Sequence, residues 1–192
     1  FVVAVGAGGT ILRTSNGGGT WSVDPQSGAL TSNTLTAVSC RTTTSCVAVG
    51  APQTVLTFDG VSWAVAFGAT TGGYSDVDAY QSSTGVPRAI AVGSSNAYRR
   101  FDGASWLAGI FPSPGGAQLP YWGVAAKRDL LGSVTGTVLA VGGTLASKGV
   151  LMKSVDHGSS WVSRGVPGAP ALNDVINLPN TSTWYVAGLG GF

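Results

Sequence analysis

Apolar residues in this chain fall in short runs separated by Gly, Ser, Thr, Asn and Pro. One run recurs: FVVAVG at Phe1–Gly6, CVAVG at Cys46–Gly50, AIAVG at Ala89–Gly93, VLAVG at Val138–Gly142 and WYVAG at Trp184–Gly188. Its last glycines are spaced by 44, 43, 49 and 46 residues. Ser/Thr-Trp follows most copies, with Trp21, Trp63, Trp106 and Trp161 spaced by 42, 43 and 55. A fixed period means one supersecondary unit copied and packed on itself, and about 40–50 residues suits a four-stranded blade or a two-helix repeat. No window sustains a helical pattern over ten residues, and β-branched residues crowd the apolar runs, so the units are strands.

Each repeat parses into four strands. The first is Asn33–Cys40, with cognates Tyr74–Tyr80, Tyr121–Lys127 and Leu172–Leu178. The second is the VAVG run. The third is Thr10–Thr14, Thr54–Phe58, Asn96–Phe101 and Gly149–Ser154, and the fourth Thr20–Asp24, Ser62–Ala66, Ser105–Gly109 and Ser160–Arg164. The VAVG run is apolar on both faces and belongs between neighbouring sheets, with the more polar third and fourth strands outermost. The expected fold is an all-β propeller of four-stranded antiparallel blades, about four repeats plus a partial fifth. Its repeats span residues 1–24 (partial), 33–66, 73–109, 121–164 and 172–192 (partial) of a single domain. The longer third interval fits loop expansions around Phe111–Pro120 and Leu130–Gly136.

The turn between the third and fourth strands carries the most specific residues. It reads SVDHGSSW at Ser154–Trp161 and TSNGGGTW at Thr14–Trp21, with shorter copies TFDGVSW at Thr57–Trp63 and RFDGASW at Arg100–Trp106. The long form resembles the Asp-box of bacterial-neuraminidase-type (BNR) repeats. Together with the AVG and GTIL phrases, it is also similar to the YCF48-like propeller repeat. The physical reading is a hairpin staple. Asn16, Asp59, Asp102 and Asp156 accept backbone N–H groups of their own turn. Gly18, Gly60, Gly103 and Gly158 supply a backbone conformation other residues resist. Trp21, Trp63, Trp106 and Trp161 lie over the hairpins and bury apolar area.

Composition narrows the function classes. Charged residues make up 9% of the 192, the net charge is +2, and no glutamate is present. Such a chain lacks the basic patches with interleaved aromatics that nucleic acid requires. No apolar run is long enough for a membrane span. Low charge with abundant Gly, Ser and Thr points to an extracellular or cell-surface setting, with periplasm or thylakoid lumen as the alternative. Cys40 and Cys46 flank Arg41–Ser45 at facing ends of two strands. They form either a disulfide of an oxidising compartment or a reduced buried pair. Asn180-Thr-Ser182 is an N-glycosylation sequon.

A neuraminidase resemblance implies glycoside hydrolysis, which needs paired carboxylates or a Tyr nucleophile beside the scissile bond. Asp76 and Asp78 alternate on one strand and are expected to share a face, but no second acid/base group accompanies them. The family's arginine triad is not assignable, because Arg13, Arg41, Arg88, Arg99, Arg100, Arg128 and Arg164 occupy unlike repeat positions. His157, the only histidine, falls at the variable turn position and is expected to be exposed and idle. Catalytic, metal and cofactor sites are therefore all expected to be absent.

The chain opens and closes on a second strand, so that strand is in surplus by one, as expected of an excerpt or of a subunit that augments its neighbour's sheet. The leading expectation is a non-catalytic structural or assembly propeller with protein partners or self-association, as in a filament. One alternative is a YCF48-like assembly factor binding a membrane-protein segment. The other is a glycan-binding or sialidase-like module using Tyr98, Tyr121 or Trp122.

Overall fold

The computed structural model describes residues 1–113, 116–145 and 148–191. Pro114 and Gly115 of the first loop expansion, Ala146 and Ser147 after the fourth VAVG copy, and the terminal Phe192 lie outside the described residues. The described residues are all-β with short 3-10 turns, among them Ala7–Gly9 and Leu189–Gly191.

Its strands form successive antiparallel meanders. The first comprises β1 (Val2–Val5), β2 (Ile11–Thr14) and β3 (Ser22–Val23). The second runs through β4 (Thr34–Thr42), β5 (Ser45–Ala51), β6 (Thr54–Phe58) and β7 (Trp63–Gly68). The third contains β8 (Tyr74–Ser82), β9 (Pro87–Gly93), β10 (Ala97–Phe101) and β11 (Trp106–Ile110). The fourth contains β12 (Tyr121–Arg128), β13 (Ser133–Gly142), β14 (Val150–Ser154) and β15 (Val162–Arg164). A hairpin of β16 (Leu172–Asn177) and β17 (Trp184–Gly188) follows. The third and fourth meanders also touch by a short parallel pairing, Gln81 with Ser133 and Ser82 with Val134. Strand limits depart from the sequence pattern by about two residues at most, except that β13 begins at Ser133, inside the segment Leu130–Gly136 expected to be a loop expansion.

The VAVG strands β5, β9 and β13 are central in their sheets, and their side chains feed two cores at once. Val47 and Val49 join Val77, Ala89 and Ala91 between the second and third meanders. On the reverse face of β5, Cys46 and Ala48 join Ile11, Leu56 and Trp63 beside the first. Likewise, Ile90 and Val92 pack with Val138 and Ala140, whereas Leu139 and Val141 pack with Leu172 and Val175. Two-sided burial removes the apolar–polar alternation of a half-exposed strand, which is why these runs read as continuous.

The marker glycines have a steric cause. At the equivalent point of each inner strand the register slips by one residue, between Leu35 and Ala37, Tyr74 and Asp76, Tyr121 and Gly123, and Leu172 and Asp174. The bulge presses the entering backbone against the last residue of the VAVG run. A Cβ on Gly50, Gly93 or Gly142 would sit inside the van der Waals shell of Thr34 O, Gly73 O or Pro120 O respectively. Gly6 has no such neighbour within 3.9 Å.

The turn tryptophans are unequal. Trp63 and Trp161 are 3% and 8% exposed, and Trp106 is half-buried. Trp63 stacks on Phe58, and Gln26 of the first meander brackets its backbone with two hydrogen bonds of 2.9 and 2.6 Å. Trp161 meets Tyr98 and Phe111 of the preceding meander. Trp21 is 45% exposed, so, contrary to expectation, its indole does not bury over its hairpin.

Two outcomes follow for thermal or urea denaturation. Gly93→Ala should lose about 1–3 kcal/mol by overpacking, whereas Gly6→Ala should change stability by less than about 0.5 kcal/mol. Trp63→Ala should cost about 3–5 kcal/mol, and Trp21→Ala about 1 kcal/mol; equal losses at the two tryptophans would refute the assigned packing.

Candidate binding groove

The four turn motifs are staples, as their residue types require. Asp59 Oδ1 accepts the N–H groups of Val61 and Ser62 at 2.9 and 2.8 Å, and Asp102 Oδ1 those of Ala104 and Ser105 at 3.0 and 2.9 Å. In the long form Asp156 accepts Ser160 N–H at 2.9 Å, Ser160 Oγ–H at 2.6 Å and Ser154 Oγ–H at 2.8 Å. Asn16 repeats this with Thr20 N–H at 3.0 Å and Thr14 Oγ1–H at 2.7 Å. Gly18, Gly60, Gly103 and Gly158 all have φ between +79° and +104°. The donated N–H groups hold the Asp59 and Asp102 carboxyls below the usual range. Burial pushes Asp156 up, but the hydrogen bonds from Ser160 and Ser154 outweigh it and hold the carboxyl down. One oxygen of Asp59 and of Asp102, and both oxygens of Asp156, are held by their own hairpins.

Asp76 and Asp78 have a different task. Apart from the two-residue pairing of β8 with β13, the inner strands have a ladder partner on one edge only, and β8 supplies acceptors to the free edge of β12. Val124 N–H donates to Asp76 Oδ2 at 2.9 Å, and Ala126 N–H to Asp78 Oδ2 at 2.8 Å. Arg128 clamps Asp78 through both guanidinium nitrogens, one bond measuring 3.0 Å. Ser39 Oγ of β4 accepts Ala79 N–H at 3.0 Å, and Asn177 of β16 accepts Arg128 N–H at 3.1 Å. The pair thus shares a face, and its oxygens are spent on the neighbouring backbone. Burial raises Asp76 to about 6, opposed by the N–H groups of Val124 and Val77 and reinforced by Asp78 and Asp174.

Cys40 and Cys46, opposed on β4 and β5, form a disulfide. The loop they close presents Arg41 and Thr44 to a groove of about 520 Å³ between the second and third meanders. Its apolar floor is Val47, Ala89, Phe101 and Trp106, with Phe58 and Arg88 on its margins. Arg41 has no ion pair among the described residues, and burial lowers its pKa. A smaller hollow of about 160 Å³ adjoins, sharing Arg41 and Ala79 and reaching Arg128 and Leu131. Leu131 is 91% exposed. A third hollow, about 400 Å³, lies beside Trp21 and Arg13, where Arg13 is already 3.6 Å from Asp24.

Two sequence readings change. His157 is half-buried, with its ring stacked 5.8 Å from that of Tyr80, because its turn folds against the third meander. Tyr98 and Tyr121 are core residues against Phe111, leaving Trp122 as the exposed aromatic of the glycan candidates. Asn180 stands exposed in the β16–β17 turn. Arg41, Arg88 and the groove they line carried no sequence signal beyond apolar strands ending in arginine. Among the described residues no helix is long and apolar enough to cross a membrane.

No family model matches the chain, and no curated protein matches it. Solved structures do. YCF48 from Cyanidioschyzon merolae is 17% identical with a TM-score of 0.62, over 96% of this chain. This chain spans 58% of that protein's length. YCF48 bound to D1 peptide is 14% identical with a TM-score of 0.35, over 96% of this chain and 84% of that one. A GH74 enzyme from Niastella koreensis is 13% identical with a TM-score of 0.31, over all of this chain and 42% of that one. The first likeness establishes a propeller-like fold.

The Asp76 environment predicts a pH signature. A carboxyl with its folded pKa raised from 3.8 to about 6 stabilises the fold fully below pH 3.8, and that contribution is lost as pH rises to about 6. The loss is on the order of 2–3 kcal/mol. In Asp76→Asn, urea denaturation between pH 4 and 6 should lose this component; an unchanged slope would place the titration elsewhere. The depressed turn carboxyls act oppositely, and their stabilisation is lost as pH falls below 3.8.

Proposed function

We propose that this chain is a non-catalytic, YCF48-like protein-binding propeller that takes an extended segment of a partner protein, such as a membrane-protein segment awaiting assembly. The observation that carries this reading is the groove between the second and third meanders. It joins aromatic and apolar residues to Arg41, which forms no ion pair among the described residues, while the groove's one acid, Asp59, accepts N–H groups of its own turn. Apolar side chains of a bound segment bury on Phe101 and Trp106, and a carboxylate of that segment pairs with Arg41. The propeller-like fold and the AVG and GTIL repeat phrases support an assembly-factor role. The engagement of the turn carboxylates and of Asp76 and Asp78 with backbone supports the absence of catalysis. The Cys40–Cys46 bond favours an oxidising compartment, extracellular, periplasmic or lumenal.

Intrinsic tryptophan fluorescence, titrated with a library of extended acidic–apolar peptides, tests the reading. Binding with a Kd near the micromolar range should weaken at least tenfold in Arg41→Ala and in Trp106→Ala, with the melting of Arg41→Ala unchanged. No peptide binding tighter than about 1 mM would reject it. So would turnover of sialosides or β-glucans by the chain.

A further inference from the structure

His157 occupies a backbone position with φ of +58°, where the matching residue of the first meander is Gly17 with φ of +70°. A side chain is strained there, and a histidine gains nothing from the turn itself. Its peptide N–H donates to Gly136 O at 3.0 Å, which aims the imidazole at the third meander. The ring stacks on Tyr80 at 5.8 Å with an interplanar angle of 23°. Tyr80 is 1% exposed and lies directly across the β8–β9 ladder from Arg88, so the two side chains share the face that meets the fourth meander.

Three polar atoms on this face are buried without a hydrogen-bond partner: Tyr80 Oη, Arg88 Nε and His157 Nδ1. All three are able to donate, the imidazole with its proton on Nδ1. Buried donors without acceptors are costly, and natural proteins rarely leave three together. The acids nearby are committed elsewhere. Asp78 binds Arg128 and Ala126 N–H, Asp102 binds Ala104 and Ser105, and Asp156 binds Ser160 and Ser154. Arg88 and Arg100, which both act electrostatically on Tyr80, form no ion pair among the described residues. The site therefore combines three unpartnered buried donors, with Arg88 close enough to act electrostatically on both Tyr80 and His157, and uncompensated positive charge.

We infer that a single monovalent anion of halide size binds between the third and fourth meanders, held by Tyr80 Oη–H, Arg88 Nε–H and His157 Nδ1–H. An acceptor-only ligand satisfies three donors and balances the guanidinium, whereas a water brings two O–H groups of its own and no charge. Enclosure of the donor atoms excludes larger anions such as a peptide carboxylate or a phosphate ester.

Bromide-soaked crystals and melting in chloride against gluconate, at equal ionic strength, test the site. An anomalous peak within hydrogen-bond distance of the three donors is expected, with a melting temperature that rises with chloride. Tyr80→Phe keeps the ring stack and removes one donor, so its chloride midpoint should rise roughly tenfold. Arg88→Gln should abolish the chloride response while still folding. Absence of the peak, with identical melting in the two salts, would identify the occupant as water and overturn the inference. So would a peak accompanied by an unshifted Tyr80→Phe midpoint.

Discussion

A strand with one ladder partner leaves half of its peptide groups facing away from the sheet, and this chain answers that constraint with side chains from the next meander. Asp76 and Asp78 take the N–H groups of Val124 and Ala126, Ser39 that of Ala79, and Asn177 that of Arg128. Each acceptor is short and sits on an inner strand, so it spans the gap between neighbours without a ladder. A carboxylate reaching two peptide units away fixes the stagger of one meander on the next. Cores of Val, Ala and Ile then fill the space behind. The scarce acidic residues are thus concentrated where backbone has no other partner.

The fold was legible because its repeats are short and nearly even. VAVG glycines and Ser/Thr-Trp turns marked the strands within about two residues, the start of β13 apart. What stayed hidden depended on residues from different repeats. The glycine period was visible, but its cause, a carbonyl such as Gly73 O crossing Gly93, belongs to a bulge that no local pattern announces. Asp78 and Arg128 stand fifty residues apart at unlike repeat positions, so aligning the copies dismissed both. His157 read as idle because a turn residue looks exposed until its neighbouring sheet is in place. The groove was invisible for the same reason: Arg41 and Trp106 belong to separate meanders.

The two junctions flanking the third meander differ in chemistry. Its face toward the second carries Arg99 over Phe67 at 3.4 Å, and the open aromatic groove at one end. Its face toward the fourth is closed by Tyr98, Phe111, Tyr121 and Trp161, with the polar trio sealed at the same end. An accessible cleft and an enclosed polar site thus lie back to back across one sheet. The apolar β9 residues between them separate the two environments.

The two-sided burial of β5, β9 and β13 has a consequence for how the molecule comes apart. No meander owns its core, because each central strand lends one face to the meander before it and the other to the meander after it. Loss of one sheet strips apolar cover from both neighbours, so unfolding behaves as a chain of nearest-neighbour couplings in which interfaces outweigh intrinsic terms. A lesion in a VAVG strand is felt at two junctions, whereas one at Trp63 or Leu56 of the outer strands is felt at the single junction with the preceding meander. The repeat that advertises the fold is also the channel along which its disorder would spread.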